Sequence, residues 1–380
     1  MIYLDNAATT GRKPEATIQA LMDAYRATSV NAGRGSYAAA REAVNTIDTC
    51  RTELLNLCHI VSGYHVYFAP SATISLNEII LGLSLDGYSN VYVTPFEHNA
   101  VIRPLHAVCK KSGACLHVLP FIRGSWEMDS AAIESMFLAA KPDFVFLSMV
   151  SNTTGYLLPV KELTQLAHAY DARVIVDCAQ ALGAVEANYA DIGADAYVFA
   201  GHKTLYGPYG IAGMILKDGF QIEPGLFGGT GSDSLNANMP DPASGGYEPG
   251  SANVPAIYGL YASVRWLRET GVSTIETKER ALIQLFVEEA TQIGKLQLYL
   301  PPRDRQCGIT AFTVDGYQSH EVGEILDGEF DIAVRTGYQC APLVHDWLGT
   351  KATGGIIRMS VSYFNTEDEI RALLNALSTL

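Results

Sequence analysis

The chain has 380 residues, of which 48% are hydrophobic and 17% are charged. This is an ordinary globular composition, and the length predicts two domains or one large domain with a smaller companion. The formal net charge of −14 argues against nucleic acid as a partner, because contacts to phosphate groups need clustered lysines and arginines.

The first residues lack the features of an export signal, which would be a basic segment followed by an apolar stretch. No window is long and apolar enough for a membrane span. The seven cysteines are scattered without a CxxC pair, which is typical of reduced thiols. We therefore expect a soluble cytoplasmic protein.

Strand-like and helix-like segments alternate along the first half of the chain. This alternation predicts an α/β fold with a mainly parallel sheet. The predicted strands are residues 66–69, 90–94, 116–120, 144–150, 173–177, 196–200 and 211–216, and the predicted helices among them are residues 74–83 and 161–170.

The amino-acid composition changes between residues 223 and 253. Gly, Ser, Pro and Asn dominate there and predict a long loop, and long loops in compact enzymes are more often functional than idle. A helical stretch follows from about residue 255 to residue 294, with an interruption at Gly271. We place the change of domain near Pro255.

Polar side chains follow several predicted strands. Asp177 ends one strand, with Gln180 three residues later, while Lys203 and His98 follow two others. Because ligands bind beyond the carboxyl ends of strands in open parallel sheets, we expect these side chains to converge. Taken singly, each has a commoner explanation, since such a lysine is usually a solvated charge and such an aspartate usually caps a turn.

Together these residue types suit one cofactor. A lysine amine forms a Schiff base with a carbonyl group, and an acid facing a pyridine nitrogen keeps that nitrogen protonated. The turn Ser71-Ala72-Thr73 precedes a helix and offers N–H groups and hydroxyls to a phosphate. The set favours pyridoxal 5′-phosphate (PLP), carried by Lys203. No metal site is expected.

Nine short segments resemble, in order and separation, the class V aminotransferase family of fold-type I PLP enzymes, and within it most closely the cysteine desulfurases. They are residues 3–10, 31–35, 71–73, 97–99, 151–155, 176–180, 201–203, 335–342 and 357–366. The resemblance implies a large domain, residues 15–255, with a mainly parallel seven-stranded sheet between helices. A smaller α/β domain, residues 1–14 and 256–380, would carry the cysteine loop and a substrate-binding arginine.

The resemblance also implies how each matching residue contacts PLP. Lys203 would carry the cofactor, Asp177 would pair with its pyridinium nitrogen, Gln180 would contact its phenolate oxygen, and His98 would stack on its ring. The remaining contacts would go to the phosphate. They are Ala72, Thr73 and His202 in the same subunit, and Ser251 from the neighbouring subunit of a homodimer.

For the substrate, the resemblance implies that Asn152 and Arg358 bind the carboxylate of L-cysteine or a related amino acid, a task suited to a bidentate guanidinium. The cofactor lysine would remove the α-proton. Cys340, as a thiolate activated by His98 or by a substrate proton, would take the sulfur as a persulfide and release alanine. The loop at residues 335–342 is short, and the resemblance implies that such a loop positions Cys340 near PLP and that a partner protein then receives the sulfur. The sequence leaves open whether that partner is a scaffold of iron–sulfur cluster assembly, a thiolation enzyme or a small carrier.

Two positions depart from the family pattern. Ala200 stands where the family usually has a serine or threonine, so one hydroxyl for the phosphate is missing. Ala69-Pro70 stands before Ser71, where close relatives often carry glycine or arginine.

The sequence leaves the reaction open. A selenocysteine lyase, or another class V aminotransferase or lyase, would use the same scaffold. An aminotransferase would not need Cys340. A non-catalytic sulfur-transfer scaffold is a more distant alternative, and the intact Lys203, Asp177, His98 and Arg358 argue against it.

Overall fold

The computed structural model describes residues 1–27, 30–32, 35, 37–231, 235–242 and 245–380. Within these residues the chain alternates between strands and helices. The strands are β1 (Ile2–Tyr3), β2 (Tyr64–Ala69), β3 (Asn90–Val93), β4 (Cys115–Val118), β5 (Phe144–Ser148), β6 (Arg173–Asp177), β7 (Ala196–Ala200), β8 (Ala212–Lys217), β9 (Leu296–Tyr299), β10 (Ile309–Val314), β11 (Ile332–Ala333), β12 (Arg335–Gly337) and β13 (Ile356–Ser360). The helices are α1 (Glu15–Ala27), α2 (Ala38–Leu57), α3 (Ala72–Leu81), α4 (Asn99–Ser112), α5 (Ser130–Ala139), α6 (Val160–His168), α7 (Tyr189–Ile192), α8 (Val254–Thr270), α9 (Val272–Ala290), α10 (Ser319–Phe330), α11 (Pro342–Leu348) and α12 (Glu367–Thr379).

The main sheet has seven strands in the order β2-β8-β7-β6-β5-β3-β4. Only β8 runs antiparallel to its neighbours, so the predicted α/β class with a mainly parallel seven-stranded sheet is confirmed. Alternate residues of β5 enter separate hydrophobic clusters on the two faces of the sheet: Val145 and Leu147 face one, and Phe146 faces the other. This two-sided burial explains why the central strands read as continuous apolar runs.

A second, four-stranded antiparallel sheet has the order β12-β13-β10-β9. The amino terminus joins this part of the molecule, because β1 pairs in parallel with β11. A third hydrophobic cluster, which includes Leu4, Phe312 and Leu373, lies here. The proposed domain division at residue 255 stays a prediction.

The predicted helical stretch at residues 255–294 consists of α8 and α9, which end and begin at Gly271 as expected. Gly271 has a φ of +84°, a value that glycine adopts without strain. The described residues between 223 and 253 contain no strand and no α-helix, as the composition predicted. In the part of the chain that the structure describes, no helix has the length and apolar character needed to cross a bilayer.

Candidate active site

A cleft opens where the carboxyl ends of β3, β5 and β6 meet the turn after β7. It lies beyond the strand ends, where ligands bind in open parallel sheets. The structure thus brings together side chains that follow the carboxyl ends of different strands, as we expected from the sequence. Predicted residues that line the cleft are Ala72, Thr73, His98, Asn152, Asp177, Gln180 and Lys203.

Lys203 and Asp177 both line this cleft, and the charge of each affects the pKa of the other. Burial lowers the pKa of Lys203; the Asp177 carboxylate opposes that shift, while Arg358 and Arg335 add to it. Burial raises the pKa of Asp177, against the Ala179 N–H group that donates to it over 2.9 Å and the nearby Lys203. The deep position thus makes an uncharged amine easier to populate than on a solvated lysine.

His98 is the N-cap of α4. Its Nδ1 atom accepts a hydrogen bond of 3.0 Å from the N–H group of Ala100, so this nitrogen carries no proton. Burial, with the charges of Lys203 and Arg335, lowers the pKa of His98 to about 4. His98 is therefore a neutral imidazole at the mouth of the cleft at neutral pH.

Helix α3 also begins at the cleft. The Ser71 hydroxyl caps it by accepting a hydrogen bond of 3.2 Å from the N–H group of Ile74. The N–H groups of Ala72 and Thr73 in the first turn have no partner inside the helix. An anion at this end of the cleft would meet those N–H groups and the positive end of the helix dipole.

The other residues predicted to contact PLP take different positions. Gln180 donates through Nε2 to the carbonyl oxygen of Ala7 over 2.7 Å, although it lines the cleft. The ring of His202 stacks on Tyr209, with ring centres 4.5 Å apart, and its Nδ1 atom has no hydrogen-bond partner among the described residues. Ser251 lies outside this cleft, in a separate groove beside α2 and β2. Gly33 and Arg34, from the quoted segment at residues 31–35, lie outside the described residues.

Arg358 is buried next to the cleft, where its guanidinium group contacts two other residues. Its Nη1 atom donates to the carbonyl oxygen of Asn152 over 2.8 Å, and its Nη2 atom forms an ion pair with Asp5. Nε of Arg358 and Oδ1 of Asn152 are among the buried polar atoms that have no hydrogen-bond partner in the described part of the chain. An unpaired buried polar atom is costly, so both atoms would gain from contact with a polar ligand.

Cys340 is exposed and lies in a loop between β12 and α11 that two hydrogen bonds connect to the cleft. The N–H group of Asn99 donates to the Cys340 carbonyl over 2.7 Å, and Nδ2 of Asn152 donates to the Gln339 carbonyl over 2.7 Å. Gln339 and Cys340 have φ values of +50° and +55°, which non-glycine residues rarely adopt. Such strain persists only where the surroundings hold it, and it is typical of functional loops.

Gly355 packs against Gly337, the residue that ends β12 just before the Cys340 loop. Its φ is +96°, and a Cβ atom there would lie 2.3 Å from the Gly337 carbonyl oxygen. We expect Gly355→Ala to destabilise the fold by about 2–4 kcal/mol, because left-handed strain and overpacking add together. The midpoint of thermal unfolding measures this effect.

Gly316→Ala is the matched control, because Gly316 has a φ of +87° but no atom within 4 Å of the added methyl group. It should cost only the backbone strain, about 1–2 kcal/mol. Equal losses in the two variants would show that the contact with Gly337 has no energetic weight.

The sequence did not predict several residues at the site. Ser148 lines the cleft beside Asp177, its register partner on the neighbouring strand. Behind it, the fully buried Glu97 accepts hydrogen bonds from the Ser148 hydroxyl (2.8 Å), the Ser148 N–H group (2.7 Å) and the Thr94 hydroxyl (2.6 Å). The strand-end position could have identified Ser148, but no sequence signal marks an acid as buried. Burial raises the pKa of Glu97 to about 7.

Comparisons with known proteins agree with this architecture. The family model described as "Aminotransferase class-V" matches residues 2–373. The chain is 30% identical to a probable cysteine desulfurase of Halalkalibacterium halodurans, over 99% of this chain and 92% of that one. It is also 30% identical to a cysteine desulfurase of Enterobacter sp. (strain 638), over 100% of this chain and 93% of that one.

A solved structure has the same fold over the whole length. The apo cysteine desulfurase of Thermococcus onnurineus NA1 superposes with a TM-score of 0.90 at 28% identity, covering 100% of this chain and 94% of that one. The family model spans all three sheets and every segment that forms the cleft. The chain belongs to the class-V aminotransferase family.

Proposed function

We propose that this protein is a PLP-dependent cysteine desulfurase, which converts L-cysteine to L-alanine and transfers the sulfur to Cys340. One observation carries the proposal. A buried lysine, an acid and a neutral histidine share one cleft, and the loop that bears Cys340 is hydrogen-bonded to the start of the helix that His98 caps. The relatives' names support the same reaction.

The residues of the cleft fit PLP. Lys203 offers an amine to its aldehyde, Asp177 offers a carboxyl group to its ring nitrogen, and the first turn of α3 offers N–H groups to its phosphate. We propose that the unpaired Nδ1 atom of His202 also contacts that phosphate. Ala200 supplies no hydroxyl, so we expect the phosphate to be held with one hydrogen bond fewer. When bound, PLP supplies a ring that withdraws electrons from the substrate's α-carbon and stabilises negative charge there.

The chain's own groups would then bind and deprotonate the substrate. Arg358 and Asn152 lie side by side with unpaired atoms, and we propose that they bind the substrate carboxylate. Lys203 would take the α-proton, a role that its lowered pKa favours because the amine must be uncharged to accept a proton. Neutral His98 can stack on a ring without adding a positive charge to the site.

Cys340 would supply the sulfur acceptor. Its thiolate would attack the sulfur atom of the substrate, the bond between that sulfur and the β-carbon would break, and the β-carbon would take up a proton. The products are alanine and a persulfide on Cys340. All their atoms come from the Cys340 thiol and one molecule of cysteine, so the step balances. Because the loop is held to α4 and to Asn152, the thiol needs no large movement to stay near the cleft.

We further propose a homodimer in which Ser251 serves the partner's site. Ser251 lines a groove separate from the cleft of its own subunit, where its hydroxyl accepts a hydrogen bond of 3.4 Å from Asn31. The Cys340 side chain is exposed, so an acceptor protein could reach the persulfide directly.

The visible spectrum and the products of L-cysteine test the proposal. We expect a yellow protein that, with a thiol reductant, releases sulfide and alanine in equal amounts. A yellow protein that releases neither product would support PLP as the cofactor, but the reaction would then be transamination or would use another amino acid. A protein that stays colourless when PLP is added would contradict the proposal.

A further inference from the structure

The hydroxyl group of Tyr206 joins three parts of the chain that are far apart in sequence. It accepts a hydrogen bond of 2.8 Å from the N–H group of Tyr363 and donates one of 3.0 Å to Oε1 of Glu279 on α9. The Tyr206 side chain is 1% exposed, so water does not compete for these bonds. Its ring packs edge-on against Trp266 and Phe364, which fixes the direction of the hydroxyl.

Tyr206 belongs to the same turn as Lys203. Its N–H group donates to the Lys203 carbonyl over 2.9 Å, and the next N–H group, from Gly207, donates to Gly201 over 2.7 Å. Tyr206 has a φ of +56°, a strained value for an aromatic residue. Strain of this kind needs contacts that hold it, and the two hydrogen bonds of the hydroxyl are the polar contacts of this side chain.

Tyr363 follows β13, the strand that carries Arg358. The bond from Tyr363 to Tyr206 therefore connects the strand of the arginine to the turn of the lysine. Glu279 completes the connection from the side of α9. Glu279 is buried, and its carboxyl group packs so closely on Gly308 that a Cβ atom there would lie 2.6 Å from Oε2.

Building on the proposed function, we infer that Tyr206 and Glu279 are positioning residues, which keep Lys203 at the correct position relative to Arg358. In the reaction, Arg358 fixes the substrate carboxylate and Lys203 must reach the adjacent α-proton. Proton transfer is sensitive to misplacement of about 1 Å, which can cost about 100-fold in rate. Neither residue touches the cleft, so their effect would pass through the turn.

The acceptor oxygen of Glu279, and not its charge, carries this role. Burial raises the pKa of Glu279 to about 8; the hydrogen bond from Tyr206 opposes the shift, and the charge of Glu276 adds to it. Its carboxyl group is therefore mostly protonated at neutral pH. Glutamine keeps a carbonyl oxygen at the same place, so Glu279→Gln should resemble the native residue, whereas Glu279→Ala should not.

The test compares Tyr206→Phe with Tyr189→Phe. Both tyrosines are 1% exposed, but the Tyr189 hydroxyl is buried without a hydrogen bond among the described residues, so its loss removes no such contact. The first readout is exchange of the α-proton of L-alanine in D₂O by the PLP-loaded protein, which needs Lys203 and Arg358 but not Cys340. The second is amide hydrogen exchange of Tyr363 in protein without cofactor.

We expect Tyr206→Phe to slow α-proton exchange about ten- to 100-fold, with the visible absorption band retained and faster amide exchange at Tyr363. Tyr189→Phe and Glu279→Gln should leave both rates within about twofold, and Glu279→Ala should follow Tyr206→Phe. If Tyr206→Phe does not fold, the two Glu279 variants decide the question by the same readouts.

The inference is overturned if Tyr363 exchanges faster in Tyr206→Phe while the α-proton rate stays at the native value. It is equally overturned if Tyr189→Phe slows the rate as much. A native protein that exchanges the α-proton of alanine but makes no sulfide would contradict the desulfurase proposal and leave the positioning role intact. A native protein that exchanges nothing would contradict both.

Discussion

Replacing Lys203 with alanine is expected to lower the rate of sulfide formation from L-cysteine by about 1,000-fold or more. Proton transfer by a positioned side chain contributes about 10²–10⁴-fold, and this variant also loses the covalent attachment of the cofactor. The protein should bind PLP more weakly and lose the absorption band of the attached cofactor. The measurements are the sulfide rate at saturating PLP and the visible spectrum after dialysis.

The lysine's own environment supports this expectation. Burial lowers its pKa, so the uncharged amine is populated at a lower pH than in a solvated lysine. The rate of the native protein should therefore rise with pH as that amine loses its proton, and a solvated lysine would show the same rise at a higher pH. This pH dependence should be absent from the residual rate of Lys203→Ala.

A matched control separates the loss of the amine from general damage. Lys161→Ala removes an exposed lysine in the first turn of α6 and should leave the rate unchanged. A small primary amine in solution should restore part of the activity of Lys203→Ala, because the missing methylene groups leave room for it in the cleft. A variant that kept the native rate and spectrum would rule out Lys203 as the cofactor lysine.

The sheet was predictable because its central strands are buried on both faces. Strands β6 and β7 match the predicted residues 173–177 and 196–200, and each is an apolar run bounded by polar or small residues. The ends of the helices were predicted less closely than the strands. Helix α3 begins at Ala72, two residues before the predicted start, because the Ser71 hydroxyl caps it and capping is decided by local hydrogen bonds, not by apolar periodicity.

The convergence of Asp177, His98 and Lys203 followed from the same sheet, since each stands at or just beyond the carboxyl end of a parallel strand. Its supporting contacts did not follow. The ion pair between Arg358 and Asp5 joins residues 353 positions apart. The bond that holds the Cys340 carbonyl comes from a backbone N–H group, and a backbone donor leaves no mark in the sequence. Contacts of both kinds depend on tertiary packing.

Replacing Cys340 with alanine is expected to lower sulfide formation at least about 100-fold, equivalent to about 2.7 kcal/mol of transition-state free energy. The thiol that receives the sulfur is removed, while Lys203, Asp177 and the start of α3 remain. The variant should therefore keep its visible spectrum and its α-proton exchange with L-alanine. Mass spectrometry after a single turnover with L-cysteine should find one added sulfur atom on Cys340 in the native protein.

Cys115→Ala is the control for this substitution, because Cys115 and Cys340 are the two exposed cysteines of the seven and only Cys340 adjoins the cleft. It should keep the native rate. If Cys340→Ala also kept full activity with L-cysteine, the persulfide route would be wrong and the sulfur would leave by a β-elimination that needs no protein thiol. The strained, doubly hydrogen-bonded loop would then need a different explanation, such as binding of the substrate through the Asn152 side chain that contacts it.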